Sequence, residues 1–278
     1  MEPTVGEPFA ANPDVHVIPT YWPLSEDSVL TINAFLLHAA EPVLVDTGAG
    51  AVSADVLDAL SSVLRLDRLR WIWLTHEDLD HTGTLDRLLD LAPRARIVSS
   101  SSAVTRTEFE RPLPADRLHA ISPGETLHVG DRTLGALQPP LFDSPATSGF
   151  LDQRSGVLFS SDCFGATLPS MAEAAVHSTA ELPEDTVAEG QVAWAHSDSP
   201  WVTLLDADAF AQIVHRVRRL QPSAILSSHL APIPAAKVEP AFVTLSRAAR
   251  TEPAAGFTRS QLESLLAQFE SDGSPPVR

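Results

Sequence analysis

Short apolar runs bounded by turn residues set the rhythm of this 278-residue chain. Residues 29–37 alternate weakly and then run apolar through Ala34, Phe35, Leu36 and Leu37, as a buried strand does. Residues 42–45, 71–74 and 95–98 read the same way, and 15–18 reads as an edge strand. Between them Val52, Val56, Leu57, Leu60, Val63 and Leu64 fall at helical spacing and predict a helix over 52–66. A second helix is predicted over 85–91, stopping before Pro93, and a short helix and loop over 99–110. Strands are predicted over 118–121, 126–129 and 132–137, with Pro-Gly and Gly-Asp turns between them. Residues 149–152 and 157–160 flank a turn and form a hairpin. From 168 to 200 the pattern weakens and alanine becomes frequent, which predicts helix and insert covering whatever lies beneath. A helix follows over 204–220, with Asp206 or Asp208 at its start and Arg216, Arg218 and Arg219 at its end, as its dipole favours. A strand over 224–226 completes the core pattern. Residues 1–14, rich in Pro, Gly and Glu, are expected to be a loose arm, 15–255 one domain, and 256–278 a terminal amphipathic helix (261–269) and a tail.

An apolar fraction of 44% is enough for a sizeable core, and 23 prolines argue against an architecture of long helices. The order of strands with helices, then strands, then strands with helices predicts a layered α/β fold. The net charge of −17 argues against nucleic acid and anionic membrane surfaces as partners. Cys163 is the only cysteine, so an internal disulfide and a thiolate-rich zinc site are excluded. With no basic-apolar leader and no apolar run near membrane-span length, the expectation is a soluble cytoplasmic protein.

The chemistry concentrates in the stretch Leu74-Thr75-His76-Glu77-Asp78-Leu79-Asp80-His81-Thr82-Gly83. It joins a predicted strand to a predicted helix, the place where α/β proteins carry their sites. A helix N-cap accounts for one or two of its acids but not for both histidines. Imidazoles and carboxylates crowded there need positive charge among them, and a metal supplies it. Three further loops follow predicted strands and carry Asp143, Asp162 and His229. Asp46, in Asp46-Thr47-Gly48-Ala49-Gly50, either orients a neighbouring loop or serves as a turn acid.

Together these segments resemble a known family. Residues 75–81 look like the His-x-His-x-Asp-His motif of the metallo-β-lactamase fold, with Asp78 in the middle histidine position. An acid there is the mark of the flavodiiron proteins. Residues 157–165, around Asp162, resemble that branch's segment around its bridging aspartate, and 225–233 its segment around the last histidine. Asn33-Ala34-Phe35-Leu36-Leu37 and Asp46-Thr47-Gly48 resemble its first strands. The resemblance covers about residues 28–245 and implies a four-layer αββα sandwich. It implies one metal held by His76, Asp78 and bridging Asp162, and a second held by Asp80, His81, Asp162 and His229. Asp143 stands where the family places a further histidine, a departure that either leaves the first metal with one histidine and three carboxylates or leaves a single metal at Asp80, His81, Asp162 and His229. Cys163 reads as a packing residue, His177 and His196 as cover, Trp194 and Trp201 as core or pocket lining, and Glu77 as exposed.

Asp78, Asp80, Asp143 and Asp162 balance two divalent ions, and oxygen-rich ligation favours iron or manganese over zinc. The first functional expectation is a diiron protein that binds or reduces O2 or NO, or oxidises a small substrate with O2. The resembled reductases carry a flavodoxin domain after this one, so a flavin or other electron donor either comes from outside, through a redox partner protein or a homodimer, or is not used at all. The second expectation is a metal-dependent hydrolase of an ester, lactone, thioester or phosphodiester.

Overall fold

A computed structural model describes residues 2–253 and residue 259. The expected terminal helix over 261–269 lies outside the described residues. The fold is the αββα sandwich. Its first sheet contains β1 (Thr4–Val5), β2 (Phe9–Asn12), β3 (Val15–Ser25), β4 (Ser28–Leu37), β5 (Val43–Val45), β6 (Trp71–Trp73), β7 (Arg96–Ser99) and β8 (Leu118–Ala120). The second contains β9 (Thr126–His128), β10 (Thr133–Leu137), β11 (Gly149–Asp152), β12 (Val157–Phe159) and β14 (Ala224–Leu226), while β13 (Thr167–Leu168) crosses back to pair with β4. The first sheet runs β1-β3-β4-β5-β6-β7-β8, and the second β14-β12-β11-β10-β9.

Side-chain alternation assigns each strand's two faces. On β4, Phe35 and Leu37 point between the sheets, where they meet Trp71, Trp73, Phe150 and Phe159. Ala34 and Leu36 point the other way, onto α1 (Ser53–Val63) and α3 (Leu85–Leu91), through Val56, Leu57, Leu60, Leu85 and Leu88. On the far side of the second sheet, Leu158 and Ile225 pack beneath α7 (Ala207–Arg218) and α8 (Ala235–Arg247), against Phe210, Val214, Phe242 and Leu245. Each such side chain, fully buried, contributes about 1.5–3 kcal/mol.

Several expectations are corrected. The arm over 1–14 is not loose: β1 and β2 both pair with β3, and Phe9 stacks on His177 at 4.0 Å. Residues 15–18 begin an eleven-residue strand flanked on both sides rather than an edge. The three strands predicted between 118 and 137 are present as β8, β9 and β10; β8 closes the first sheet beside β7, while β9 and β10 form a hairpin in the second. No element is predicted over 235–247, where the structure forms helix α8. Pro240 sits inside it at the loss of one backbone hydrogen bond, and Val238, Ala241, Phe242 and Leu245 bury its apolar face. The remaining helices are α2 (Leu79–Thr82), α4 (Ser101–Glu110), α5 (Met171–Ala174) and α6 (Glu184–Asp198). No helix among the described residues is long and apolar enough to cross a membrane.

Candidate metal centre

Strand ends deliver the site. The loop after β6 carries His76 and Asp78 and then α2 with Asp80 and His81, and the loop after β12 carries Asp162. The loop after β14, parallel to β12 and beside it, carries His229, and Asp143 lies between β10 and β11. The chain makes the tight approaches with glycine. A Cβ on Gly83 would stand 2.1 Å from the backbone nitrogen of Gly50, and one on Gly165 would stand 2.9 Å from both the Asp162 carbonyl oxygen and the His229 Cβ. Asp46, Ser161 and Phe164 hold positive φ angles of 57°, 53° and 69° at the rim of this site.

All seven residues expected at the site converge. Asp162 lies at its centre with its side chain 5% exposed. Its Oδ1 is 3.1 Å from His81 Nε2 and 3.3 Å from His229 Nε2, and its Oδ2 is 3.5 Å from His76 Nε2. Around His76 stand Asp143 Oδ2 at 3.7 Å and Asp78 Oδ2 at 3.9 Å. Around the other pair stands Asp80 Oδ2, 3.4 Å from His81 Nε2 and 3.5 Å from His229 Nε2. Two donor groups result, one on His76 and one on His81 and His229, and Asp162 faces both.

The ring nitrogens facing away from this centre are fixed by the surrounding protein. His81 Nδ1 lies 2.8 Å from Asp46 Oδ2, and Asp46 also accepts from the Thr75 backbone N–H and hydroxyl. Asp46 thus orients the loop and its histidine. His229 Nδ1 donates to the Thr31 carbonyl at 2.8 Å, and Asn33 donates to the Ser227 and Leu230 carbonyls of the same loop. His76 Nδ1 has the Thr75 and Ser161 hydroxyls at 3.2 Å. With the outer nitrogens held, the inner ones point at the centre as lone-pair donors. His76 Nε2 and His81 Nε2 are fully buried yet have no hydrogen-bond partner. Buried polar atoms are rarely left so, and a cation between them and the carboxylates satisfies both.

The titration behaviour has the same origin. Asp162 is held well below the usual carboxylate range by His81, His76 and His229 against the opposing effect of burial. Asp80 is lowered by His81 and His229, again against burial. Asp80 and Asp162, with Asp46, raise His81 well above its ordinary value, and Asp162 and Asp80 raise His229 to about 8. Burial raises Asp78, which stands beside Asp143. None of the ion pairs made by these carboxylates among the described residues is to a lysine or arginine.

One residue of the centre was missed. Asp198, at the end of α6, offers a carboxylate oxygen within 4.8 Å of those of Asp143 and Asp162. Burial and those two acids push it up to about 7. No strand precedes it and no motif contains it, so the pattern that revealed the others gave no signal. The covering segment itself was anticipated. Trp194 of α6 donates to the Asp162 carbonyl at 3.0 Å and packs 4.7 Å from the His229 ring, and Trp201 donates to the Phe142 carbonyl at 2.8 Å. His177 and His196 do not reach the centre: His177 stacks on Phe9, and His196 Nε2 meets the Ala248 carbonyl. Glu77, expected to be exposed, has a side chain only 11% exposed, bound by Arg106 and the Ser144 hydroxyl. Cys163 is buried and its thiol is pushed up by burial, which suits a packing role. Beside Asp80 opens a groove of about 520 Å³ lined by Trp22, Leu24, Leu30, Ile32, Leu79 and Arg111.

This sandwich, with histidines and carboxylates gathered at the strand ends, defines a protein of the metallo-β-lactamase fold with a carboxylate-rich candidate metal centre. A sequence profile described as "ODP family beta lactamase" matches residues 30–229, and the chain belongs to that family. Among curated relatives it is 30% identical over 173 residues to the type A flavoprotein fprA of Rhodobacter capsulatus, covering 57% of this chain and 39% of the relative. It is 27% identical over 134 residues to the anaerobic nitric oxide reductase flavorubredoxin of an Enterobacter species, covering 48% of this chain and 28% of the relative. The chain therefore matches well under half the length of these relatives. Solved structures of the same fold include rubredoxin oxygen:oxidoreductase from Desulfovibrio gigas, with TM-score 0.74, 18% identity, and coverage of 89% of this chain and 63% of that one. The flavodiiron protein of Giardia intestinalis superposes with TM-score 0.76 at 16% identity, covering 90% of this chain and 61% of that one.

Proposed function

We propose that this chain binds two iron ions, one at His76, Asp78, Asp143 and Asp162 and one at Asp80, His81, Asp162 and His229, and uses them to bind or reduce O2 or NO. The observation that carries the reading is Asp162, whose two oxygens face separate histidine groups, with Nε2 of both His76 and His81 buried and otherwise unpartnered. Four carboxylates around two divalent ions leave the centre near neutrality, and their hard oxygens suit iron, with manganese the nearest alternative. When bound, two ferrous ions supply electrons and open positions for a diatomic ligand. The protein's own part is orientation and exclusion. Asp46 and the Thr31 carbonyl fix two of the rings, Trp194 packs over His229 and is tied to the Asp162 carbonyl, and the apolar groove that reaches Asp80 offers a small apolar gas a route of approach. The relatives' names speak of flavin, nitric oxide and oxygen, which supports an external flavin or flavoprotein as electron donor.

The test is elemental analysis of protein made with added iron, with absorption spectra before and after admission of air. About two irons per chain and an oxygen-dependent band are expected. Zinc without an oxygen response, together with turnover of simple esters or lactones, would overturn the redox reading in favour of hydrolysis.

A further inference from the structure

We infer that Asp198 is a fifth ligand of the metal position built on His76, a carboxylate supplied from the covering helix where the chain lacks the motif's second histidine. The inference rests on the dinuclear reading and adds a residue to it.

Asp143, Asp162 and Asp198 come from separate segments, yet one oxygen of each lies within 4.8 Å of the others. Ligands of one ion bound at about 2.0–2.2 Å stand at most about 4.4 Å apart, so a shift of a few tenths of an ångström puts all three on one ion. Acids alone do not make a site. Here an imidazole reaches two of them: His76 Nε2, on a side chain 0% exposed and without a hydrogen-bond partner, is 3.5 Å from Asp162 Oδ2 and 3.7 Å from Asp143 Oδ2, the two acids that Asp198 also stands beside. A proton on that nitrogen could serve only one acid at a time, whereas a divalent ion serves them together.

The surroundings hold Asp198 ready. One oxygen, Oδ2, accepts from the Ser199 hydroxyl at 2.8 Å. Four residues before it, Trp194 anchors α6 to the Asp162 carbonyl, so the helix end is registered on the bridging loop itself. The position then combines one nitrogen donor with the carboxylates of Asp78, Asp143, Asp162 and Asp198. The position at Asp80 has two nitrogen donors, His81 and His229. The first is the harder and more anionic of the two, which favours retention of ferric iron there.

Asp198→Asn keeps the shape and the Ser199 hydrogen bond and removes the anionic donor. Chelator-stripped full-length protein would be titrated anaerobically with Fe(II) and followed by calorimetry, with circular dichroism verifying the fold. Wild type is expected to take up two ions per chain. Asp198→Asn is expected to bind one of them at least tenfold more weakly and the other unchanged. Wild type with two ions and a variant with the same two affinities would overturn the assignment of Asp198 alone. Wild type with fewer than two would overturn the dinuclear reading and the assignment with it. A structure of iron-loaded wild-type protein decides the question should the variant not fold. An Asp198 oxygen within about 2.2 Å of the ion beside His76 supports the assignment, and one beyond 3 Å overturns it.

Discussion

Replacing Asp46 with asparagine isolates what a residue outside the metal position contributes to it. Asp46 is 1% exposed and accepts from the Thr75 backbone N–H at 2.8 Å, the Thr75 hydroxyl at 2.9 Å, His81 Nδ1 at 2.8 Å and, at the longer distance of 3.5 Å, the Ser228 hydroxyl. An asparagine has one acceptor oxygen. The backbone N–H at Thr75 is buried and has to keep it, which turns the amide NH2 toward His81 Nδ1. Two N–H groups cannot face one another, so His81 is driven to the tautomer protonated at Nε2 and loses the lone pair it aims at the centre. Changes of this kind cost about 10–100-fold in metal affinity, or about 1.4–2.7 kcal/mol. Only the ion at Asp80, His81 and His229 should weaken. The lost charge-assisted bond should also lower the metal-free melting temperature by about 3–12 °C, from about 1.5–3 kcal/mol in a domain of this size. Anaerobic Fe(II) titration of both proteins reads the first effect and differential scanning calorimetry the second. Binding of both ions by Asp46→Asn within twofold of wild type would refute the tautomer argument.

Asp162→Ala should bind neither ion, because both groups use Asp162, whereas Asp143→Ala should lose or weaken only the ion at His76; full metal content in Asp162→Ala, by elemental analysis, would show the ligand map to be wrong. Arg132→Met should destabilise the chain by about 3–5 kcal/mol in urea unfolding, since it leaves Asp152, 0% exposed and 3.0 Å from the guanidinium, buried without its partner; a change under about 1 kcal/mol would mean that Asp152 finds other compensation. Burial, with His16 and Arg132 nearby, holds His38 below its ordinary 6.5, partly opposed by Asp14. Its folded form resists protonation, so its contribution to stability is present above pH 6.5 and is lost as the pH falls through that value toward the folded pKa. His38→Gln should flatten the stability profile over that interval, and an unchanged slope would assign the effect to other groups.

Much of this centre was legible because each ligand loop follows a short apolar strand. Trp71–Trp73, Val157–Phe159 and Ala224–Leu226 are unmistakable runs, and the polar residues just after them have nowhere to be but the sheet edge. The register that brings β12 and β14 side by side, so that Asp162 meets His229, follows from the topology of the family resembled rather than from any local pattern. What could not be read lacked a period. Asp198 ends a helix whose buried face includes only Gln191 and Ala195, so no apolar stripe marks which side faces inward. Strands β1 and β2 are short, and their Pro-Gly-Glu setting imitates disorder; they are held by pairing to β3, a tertiary fact. Helix α8 carries Pro240 within it, and the burial of Val238, Ala241, Phe242 and Leu245 outweighs that residue's preference against helix.

On the proposed ligand map, Asp143 changes the balance of the two positions without dismantling the site, and the reason lies in its loop. Asp143 Oδ1 accepts from the Ser144 backbone N–H at 2.6 Å, which spends one oxygen on the turn and leaves Oδ2 free to face His76. The turn is clamped from outside: the Ser144 hydroxyl donates to Glu77, Glu77 is paired with Arg106, and the Ser100 hydroxyl donates to the Ala146 carbonyl. Glu77 follows His76 directly, so the residue next to one donor fixes the loop that carries another. An acid that served only the turn would need no such second tie to the metal-motif loop. The same logic joins Trp194 to the Asp162 carbonyl on the covering side. Carboxylates that repel one another in the absence of a cation are therefore held together by contacts that do not depend on one. That is preorganisation, and it lowers the cost of gathering the donors when metal arrives.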